Sequence, residues 1–298
     1  MRLLVVTAVP AERDAVTAAL GTPEEHALPG RTLHRVRTRT GDREASGARS
    51  RTGHGALPVT AGRAPTGGGA SSRPGTEPGT QLWTGPGTGS GTEPGTGTVT
   101  VDVLAVGAGP AAAAAGTATA LALHPNGLPY DVVVSAGIGG GFQPHAPVGS
   151  LVVAESIVAA ELGAETADGF VPVEELGFGR SAHRPPEQHA RRLAEALGAL
   201  HAPVLTVSTV TGTAARAAEL ARRHPGAGAE AMEGFGVAEA AAAHGLPVFE
   251  IRAVSNPVGP RDRAAWRVKE ALDALGRAFP TVVRQLAGQG GTMTKETP

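Results

Sequence analysis

The stretch that decides the fold is VTVDVLAVGAGPAAAAAGTATALAL, Val99–Leu123. It begins with an apolar run rich in valine, turns at Gly107 and Gly109, and continues into an alanine-rich segment that opens with Pro110. Proline suits the first turn of a helix, because the N–H that it lacks would have no partner there. The stretch therefore predicts a buried strand over Val99–Val106 and a helix from Pro110 onward, which is the repeating unit of an α/β fold.

The same turn partly matches a dinucleotide-binding pattern. Gly107, Gly109 and Ala112 fit G-x-G-x-x-A, in which the backbone approaches a pyrophosphate. That pattern also requires an acidic residue at the end of the next strand, whereas Asp131 precedes the next strand. We interpret the turn as a tight strand-to-helix connection, with nicotinamide binding as the disfavoured alternative.

Similar units recur along the chain. The Val-rich and Ile-rich runs are continuous rather than alternating, which is typical of strands covered on both faces. The predicted strands are Leu3–Val9, Leu33–Arg37, Val99–Val106, Val132–Ala136, Ser150–Ser156, Val204–Val207 and Val248–Val254. The predicted helices are Ala11–Leu20, Pro110–Leu123, Pro186–Leu197, Ala214–Arg223, Gly234–Ala243 and Ala264–Leu286.

A low-complexity segment interrupts this pattern at about residues 40–98. The hexapeptide GTEPGT occurs at Gly75–Thr80 and again at Gly91–Thr96, within a run of Gly, Thr, Pro and Ser. Such a composition buries too little apolar surface to offset the entropy lost on ordering. We therefore predict one α/β domain over residues 1–298, interrupted by a disordered insertion.

Composition excludes several classes of function. The net charge of −1 leaves no basic surface for nucleic acid or for an anionic membrane. The absence of cysteine removes thiolate metal sites and cysteine nucleophiles, and the histidines form no pair with metal-ligand spacing. The apolar start of the chain meets Pro10 and Glu12 too early for a signal sequence or a membrane span. We predict a cytoplasmic protein without a metal, whose chemistry depends on carboxylates, histidines and hydroxyls.

Four predicted strands end in polar or glycine-rich segments, namely Ala8–Glu12, Gly107–Pro110, Ser135–Phe142 and Ser255–Asp262. Ligands of such sheets gather outside the carboxyl ends of the strands. Ser135–Phe142, SAGIGGGF, contains four glycines, which indicate either a backbone floor beneath a ligand or a tightly packed loop.

Two carboxylates lie beside these strand ends. Glu12 follows the first strand at the start of a helix, where the helix dipole favours a negative charge whether or not the residue is catalytic. Glu233 precedes Gly234 and Gly236, each of which costs about 1 kcal/mol relative to alanine inside a helix. Glycine at these positions indicates a close approach of the backbone to a ligand or to a neighbouring strand. Met232 taken alone indicates core packing.

Together these segments resemble the purine nucleoside phosphorylase and nucleosidase superfamily. The motifs that carry the resemblance span essentially the whole chain outside the insertion: LLVVTAVPAERDAV, SAGIGGGF, VGSLVVAES, TVSTVTGT, AEAMEGFGVAEAA and IRAVSNPVGPRDR. The resemblance implies a phosphorylase/hydrolase-like mixed central sheet flanked by helices, and cleavage of the N-ribosyl bond of a purine nucleoside by water without a cofactor. It also implies a homo-oligomer, most simply a dimer.

Within the superfamily, SNPVGPRD and the downstream Trp266 are similar to the futalosine hydrolase family, which forms hypoxanthine and dehypoxanthinyl futalosine in menaquinone biosynthesis. By position, the resemblance makes Glu12 the general base that activates water. It makes Glu233 the acceptor of the ribose hydroxyls, and Met232 the apolar contact under the sugar. Ala231 stands where adenine-specific relatives carry an acidic residue, so one of their carboxylates is absent.

The resemblance also places Gly137, and with it Ile138, in a turn near the reacting centre. Phosphorolysis is an alternative on the same fold, and phosphate would require a cluster of arginines or backbone donors near the ribose. Arg13 and Arg252 are available for it, although Arg252 can equally orient Glu12. We favour hydrolysis.

Asn256 stands where adenine-specific relatives carry aspartate. Adenine offers an amino donor beside the N7 acceptor, whereas hypoxanthine offers two acceptors, O6 and N7. An ionised carboxylate would face O6 with no proton between them, while an amide NH₂ donates. Asn256 therefore predicts a 6-oxopurine and stabilises the leaving base by a hydrogen bond. Asp262 is the candidate acid, with helix capping as its alternative.

Further alternatives stay open at this point. One is an adenosine-type nucleosidase that acts on methylthioadenosine or S-adenosylhomocysteine. Another is a non-catalytic nucleoside-binding module, which has no need of a water-activating carboxylate. The sequence assigns no residue to the carboxyphenyl ketone on the 5′ side that separates futalosine from inosine.

Overall fold

A mixed β-sheet with helices on both faces carries the fold. The computed structural model describes residues 1–39, 97–124 and 127–288. The strands are β1 (Arg2–Thr7), β2 (Glu24–Leu28), β3 (Arg31–Arg39), β4 (Thr98–Ala105), β5 (Val132–Gly141), β6 (Leu151–Ala159), β7 (Gly163–Thr166), β8 (Gly169–Pro172), β9 (Ala182–His183), β10 (Leu200–Thr206), β11 (Ala229–Ala231) and β12 (Val248–Pro257). The helices are α1 (Pro10–Leu20), α2 (Pro110–Leu123), α3 (Glu187–Leu197), α4 (Ala214–Arg223), α5 (Gly234–Ala243) and α6 (Val268–Ala287), with a 3₁₀ turn at Arg263–Ala265.

The strand order in the large sheet is β11-β10-β6-β12-β5-β1-β4-β3-β2. The central strands β12, β5, β1 and β4 are parallel, while β3 and β6 run antiparallel to their neighbours β4 and β12. Strand β11 pairs with β10 and also with β5, so the sheet closes on itself at this end. The predicted mixed central sheet is confirmed.

The central strands are buried on both faces, as their continuous apolar runs predict. In β1, Leu3 and Val5 pack in the cluster that includes residues of α3 and α6, while Leu4 and Val6 pack in the cluster beneath α2 and α5. All four side chains are fully buried. Burial of each such side chain is worth roughly 1.5–3 kcal/mol, which makes this strand a strong anchor for the fold.

Every predicted strand and helix is present in the structure, with differences at some ends. Helix α6 was predicted to begin at Ala264, and that is wrong, because the backbone at Trp266 is extended between the 3₁₀ turn and Val268. The N–H of Arg267 donates to the carbonyl of Ser255, which draws the chain back to β12 before the helix starts. Five of the described strands, β2, β7, β8, β9 and β11, were not predicted, because they are short or polar.

The predicted Gly/Thr/Pro-rich insertion falls on residues 40–96, which lie outside the described residues. Strand β4 begins at Thr98, and the bounds of the insertion stay a prediction. The assignment of the whole chain to one interrupted domain stays a prediction. No helix in the described ranges is both long enough and apolar enough to span a membrane.

Candidate active site

A cavity of about 260 Å³ opens at the carboxyl ends of the central strands. All four strand-end segments singled out in the sequence contribute to it, with Glu12, Ala108, Ile138 and Asn256 among the lining residues. The glycines Gly139 and Gly140 form part of its wall, as a backbone floor would. The topology therefore brings together the segments that the strand-end rule selects.

Glu12 lies at the third position of α1 and is 3% exposed. Its Oε2 accepts from the N–H groups of Ala8 (2.9 Å) and Val9 (3.2 Å), the latter as in a capping box. Its Oε1 accepts from the N–H of Ile138 at 2.9 Å. The helix-start role and the cavity position therefore coincide, and three backbone donors hold the carboxylate in one orientation.

Burial raises the pKa of Glu12, and the nearby Arg252 guanidinium opposes this rise. A carboxyl with a raised pKa takes up a proton closer to neutral pH than an ordinary glutamate does. Such a group suits general base catalysis, in which it must accept a proton from water.

Arg252 on β12 is the buried centre of a charge network behind the cavity. Its Nε–H donates to Glu250 at 2.9 Å, Nη1–H to Glu233 at 3.2 Å and Nη2–H to Ser135 at 3.1 Å. Burial raises the pKa of Glu250, and its Oε2 has no hydrogen-bond partner within the described part of the chain. Arg252 does not line the cavity and makes no hydrogen bond to Glu12. Of the two carboxylates Glu12 and Glu233, Arg252 hydrogen-bonds only to Glu233, so we infer that it positions the Glu233 carboxylate.

Gly137 does not line the cavity but lies beside the Glu12 carboxylate and the Arg252 guanidinium. A Cβ on Gly137 would lie 2.6 Å from Oε1 of Glu12 and 2.7 Å from Nη1 of Arg252. The glycine is required because the Glu12 carboxylate and the guanidinium fill the space that any side chain would need. Ile138 lines the cavity beside it.

Glu233 precedes the first residue of α5, is 5% exposed and lines the cavity together with Met232. Its Oε1 accepts from the N–H of Gly109 at 3.3 Å, and its Oε2 is the oxygen held by Arg252. The turn between β4 and α2 therefore helps to hold Glu233, which explains part of the glycine pattern there without a dinucleotide.

At the two glycines of α5, other protein atoms already fill the space that a side chain would need. A Cβ on Gly234 would lie 2.2 Å from Oε2 of Glu250, and a Cβ on Gly236 would lie 2.0 Å from the carbonyl oxygen of Pro110. Of the two alternatives, approach to a ligand or to a neighbouring element of the fold, these contacts favour the second. Gly234 makes room for a fully buried carboxyl, and Gly236 lets α5 pack against α2.

We expect Gly234→Ala to lower the free energy of unfolding by about 1–3 kcal/mol, because the new methyl group overpacks a site with no space. The better helix propensity of alanine offsets only about 1 kcal/mol of this. Urea denaturation measures the change, with Gly212→Ala as the control, since a Cβ there meets only Arg261 at 3.7 Å. Equal stability of the two variants would contradict this account.

Asn256 lines the cavity, but Asp262 does not. The Asn256 Oδ1 accepts from Ser255 at 2.9 Å and its Nδ2 donates to the Pro257 carbonyl at 2.9 Å. Asp262 is exposed and accepts from the N–H of Ala264 at 3.1 Å, capping the 3₁₀ turn. The structure therefore favours the capping role of Asp262 over a role as the acid.

Sequence reasoning missed Glu230, which lies on β11, is buried and lines the cavity. Its carboxylate accepts from the N–H of Thr211 at 2.8 Å and also from the Thr211 hydroxyl. Glu230 therefore holds the segment after β10 that forms another wall. A three-residue strand has too short a pattern to be recognised, but a carboxylate two residues before Met232 was an available signal.

Within the ranges that the structure describes, no group of three or more His, Asp or Glu side chains is placed to hold a metal ion.

Comparison with known proteins places this chain among nucleoside-cleaving enzymes. A model of the phosphorylase superfamily matches residues 80–287. The futalosine hydrolase of Streptomyces coelicolor is 71% identical over 161 residues, which cover 53% of this chain and 68% of that protein. The futalosine hydrolase of Acidothermus cellulolyticus is 48% identical over 155 residues, which cover 50% of this chain and 63% of that protein.

Among solved structures, a 5′-methylthioadenosine/S-adenosylhomocysteine nucleosidase from Colwellia psychrerythraea, in complex with adenine, matches with a TM-score of 0.64. The match has 18% sequence identity and covers 97% of this chain and 95% of that chain. At this sequence identity, the similarity shows only that the two proteins share a fold. It confirms the predicted phosphorylase/hydrolase-like α/β architecture.

Proposed function

The chain belongs to the phosphorylase superfamily and, within it, to the futalosine hydrolases, and we propose that it performs their reaction with Glu12 and Glu233. It is an N-glycosyl hydrolase, whose substrate futalosine gives hypoxanthine and dehypoxanthinyl futalosine. The observation that carries the assignment of residues is that Glu12 and Glu233 are both buried and both line the same cavity.

Glu233 and Met232 form the ribose end of the proposed site. Cleavage of the N-ribosyl bond builds positive charge on the sugar, so a fixed carboxylate stabilises the oxocarbenium-like centre. Arg252 and the Gly109 N–H fix Glu233 before substrate arrives, and this leaves little reorganisation for the transition state. The ribose hydroxyls donate to the remaining lone pairs of this carboxylate.

Glu12 activates the attacking water. The water oxygen bonds to C1′ as the bond from C1′ to the purine nitrogen breaks, and Glu12 accepts the water proton. The bonding electrons leave with the base, whose nitrogen takes a proton from solvent, and Glu12 then returns its own proton to solvent. Asn256 stabilises the departing base by donating a hydrogen bond to it, since an amide has no acidic proton to transfer.

The surroundings of Glu12 favour water over phosphate. The backbone N–H groups of Ala8, Val9 and Ile138, which could cradle an anion, already donate to the Glu12 carboxylate. Arg13 pairs with Asp14 and is not among the lining residues, and Arg252 is engaged by Glu233 and Glu250. A phosphate beside the ribose would therefore meet a carboxylate rather than donors.

The deciding experiment offers futalosine, inosine and 5′-methylthioadenosine to the pure protein, with and without phosphate. We expect hypoxanthine and free dehypoxanthinyl futalosine from futalosine, at a rate that does not depend on phosphate. Release of adenine as the preferred base, or a strict need for phosphate, would overturn the proposal. Absence of turnover with retained hypoxanthine binding would indicate a nucleoside-binding module.

Asn256→Asp should shift the preference from hypoxanthine toward adenine. The aspartate removes the donor to O6 and accepts from an amino group instead, and each such pair discriminates by about 1–3 kcal/mol, roughly 5- to 150-fold. The ratio of kcat/KM for futalosine to that for its 6-amino analogue measures the shift. Asn256→Ala is the control, because it removes the donor without adding an acceptor. An unchanged ratio in Asn256→Asp would remove Asn256 from base recognition.

A location in the cytoplasm and a homodimer complete the proposal. The dimer rests on the family resemblance, and the location rests on the interpretation of the apolar start of the chain as a buried strand. Sedimentation of the pure protein tests the dimer.

A further inference from the structure

The charge of the cavity lining is uneven. Three of the described lining residues, Glu12, Glu230 and Glu233, carry carboxyl groups, and Arg261 is the one lining residue with a positive charge. Arg261 is exposed, and within the described residues it makes no ion pair with a carboxylate. The carboxylate of the neighbouring Asp262 instead accepts from the N–H of Ala264 in the 3₁₀ turn. Among the described residues, the lining therefore includes one guanidinium that no carboxylate neutralises.

Arg261 lies against an aromatic ring that lines the same cavity. Its guanidinium carbon is 5.5 Å from the centroid of the Trp266 ring. Val9 and Val210, which also line the cavity, are 42% and 43% exposed. The lining thus includes apolar side chains, an aromatic ring and a cation.

The segment that carries this pair is tied to the ends of β5 and β12. The N–H of Val258 donates to the Gly141 carbonyl, and the N–H of Arg267 donates to the Ser255 carbonyl. Arg261 also packs beside Gly212, which follows the cavity residue Thr211. Hydrogen bonds at Val258 and Arg267, on either side of Arg261 and Trp266, therefore hold this segment at the cavity.

We propose that Arg261 and Trp266 bind the aromatic carboxylate on the 5′ side of the nucleoside. The inference rests on the proposed function, because futalosine carries a carboxyphenyl ketone where inosine carries a hydroxyl. A guanidinium forms paired, charge-assisted hydrogen bonds to a carboxylate, and the indole ring packs against the phenyl ring. Without Arg261, the charged lining residues would all be carboxylates, which repel the carboxylate of the substrate.

The same pair supplies a reason for selectivity. Inosine has neither the phenyl ring nor the carboxylate, so it gains nothing from Arg261 or Trp266. The ribose and base contacts are common to both nucleosides. Discrimination between them therefore depends on this pair.

The test compares Arg261→Gln with Arg263→Gln, a neighbouring exposed arginine that does not line the cavity. We expect Arg261→Gln to raise KM for futalosine about 10- to 100-fold, the range for hydrogen bonds to charged groups. Its kcat/KM for inosine and its binding of hypoxanthine stay within twofold of wild type. Arg263→Gln matches the wild type on all three ligands.

Two ligand probes sharpen this test. The methyl ester of futalosine removes the substrate charge, so wild type should bind it as weakly as Arg261→Gln binds futalosine. An acetylbenzoate inhibits wild type and fails to inhibit Arg261→Gln. Trp266→Leu weakens both futalosine and its ester, because the ring contact does not depend on charge.

Equal losses on futalosine and inosine in Arg261→Gln would show a merely structural role and overturn the inference. Phosphate-stimulated turnover that Arg261→Gln abolishes would assign Arg261 to phosphate instead. Failure of the proposed function is separate, because wild type would then cleave inosine or methylthioadenosine in preference to futalosine. In that case, the inference is tested by acetylbenzoate alone. Equal inhibition of wild type and Arg261→Gln would overturn it as well.

Discussion

Glu12→Gln is expected to lower kcat for futalosine by about 10²–10⁴-fold, the range for loss of a positioned general base. The amide cannot accept the water proton. It also offers one oxygen where the carboxylate uses two to accept from Ala8, Val9 and Ile138. Steady-state kinetics with futalosine measures the loss, and thermal denaturation checks that the variant is folded. Glu195→Gln, at an exposed position on α3, is the matched control.

The pH profile gives a second measurement on the same variant. Wild-type kcat should fall as the pH drops through the pKa of Glu12, because the protonated carboxyl cannot act as a base. Burial raises that pKa, so the acidic limb lies above the range of an ordinary glutamate. Glu12→Gln should lack this limb. Full turnover in the variant, with the limb intact, would rule out Glu12 as the base.

Glu233→Gln should reduce kcat/KM for futalosine by about 10²–10³-fold, as expected when one preorganised electrostatic contact to the transition state is lost. The amide carries no charge for the oxocarbenium-like ribose. It also breaks the ion pair with Arg252, whose Nη1 lies 3.2 Å from the carboxylate. We expect kcat to fall and KM to rise, because Glu233 is proposed to contact the ribose in both the ground state and the transition state.

Hypoxanthine binding separates this effect from misfolding. The free base has no ribose, so a folded Glu233→Gln variant should bind it with the affinity of wild type. Arg252 retains Glu250 and Ser135 as partners in the variant, which limits the structural cost. Loss of hypoxanthine binding together with activity would assign Glu233 to the fold rather than to the sugar.

Much of the fold could be predicted because its signals are local. Val99–Val106 is rich in valine, and Pro110 marks the start of the helix that follows, so a strand, a turn and a helix can be recognised in one stretch. Strand β11 could not be predicted, because three residues carry no periodicity and its pairing with β5 is set by distant chain segments. Glu230 lies on this strand, and its place two residues before Met232 was the local signal that could have found it.

The candidate site was predicted in part. Glu12, Met232, Glu233 and Asn256 line one cavity, as the strand-end rule and the family motifs together indicated. The reasons for the glycines were not accessible from the sequence, because the atoms that exclude a side chain at Gly234 belong to Glu250. The exposed capping position of Asp262 depends likewise on how the chain leaves β12.

The sequence by itself determined the order and type of the helices and the longer strands, the strand ends at which a ligand gathers and two of the carboxylates there. These follow from hydrophobic periodicity, turn residues and short motifs, all of which are relations between neighbours in the chain. Only the tertiary structure decided that Arg252 holds Glu233 rather than Glu12, and that Arg261 faces the cavity beside Trp266. Such contacts join distant residues, and they depend on sheet order and register, which no local pattern contains.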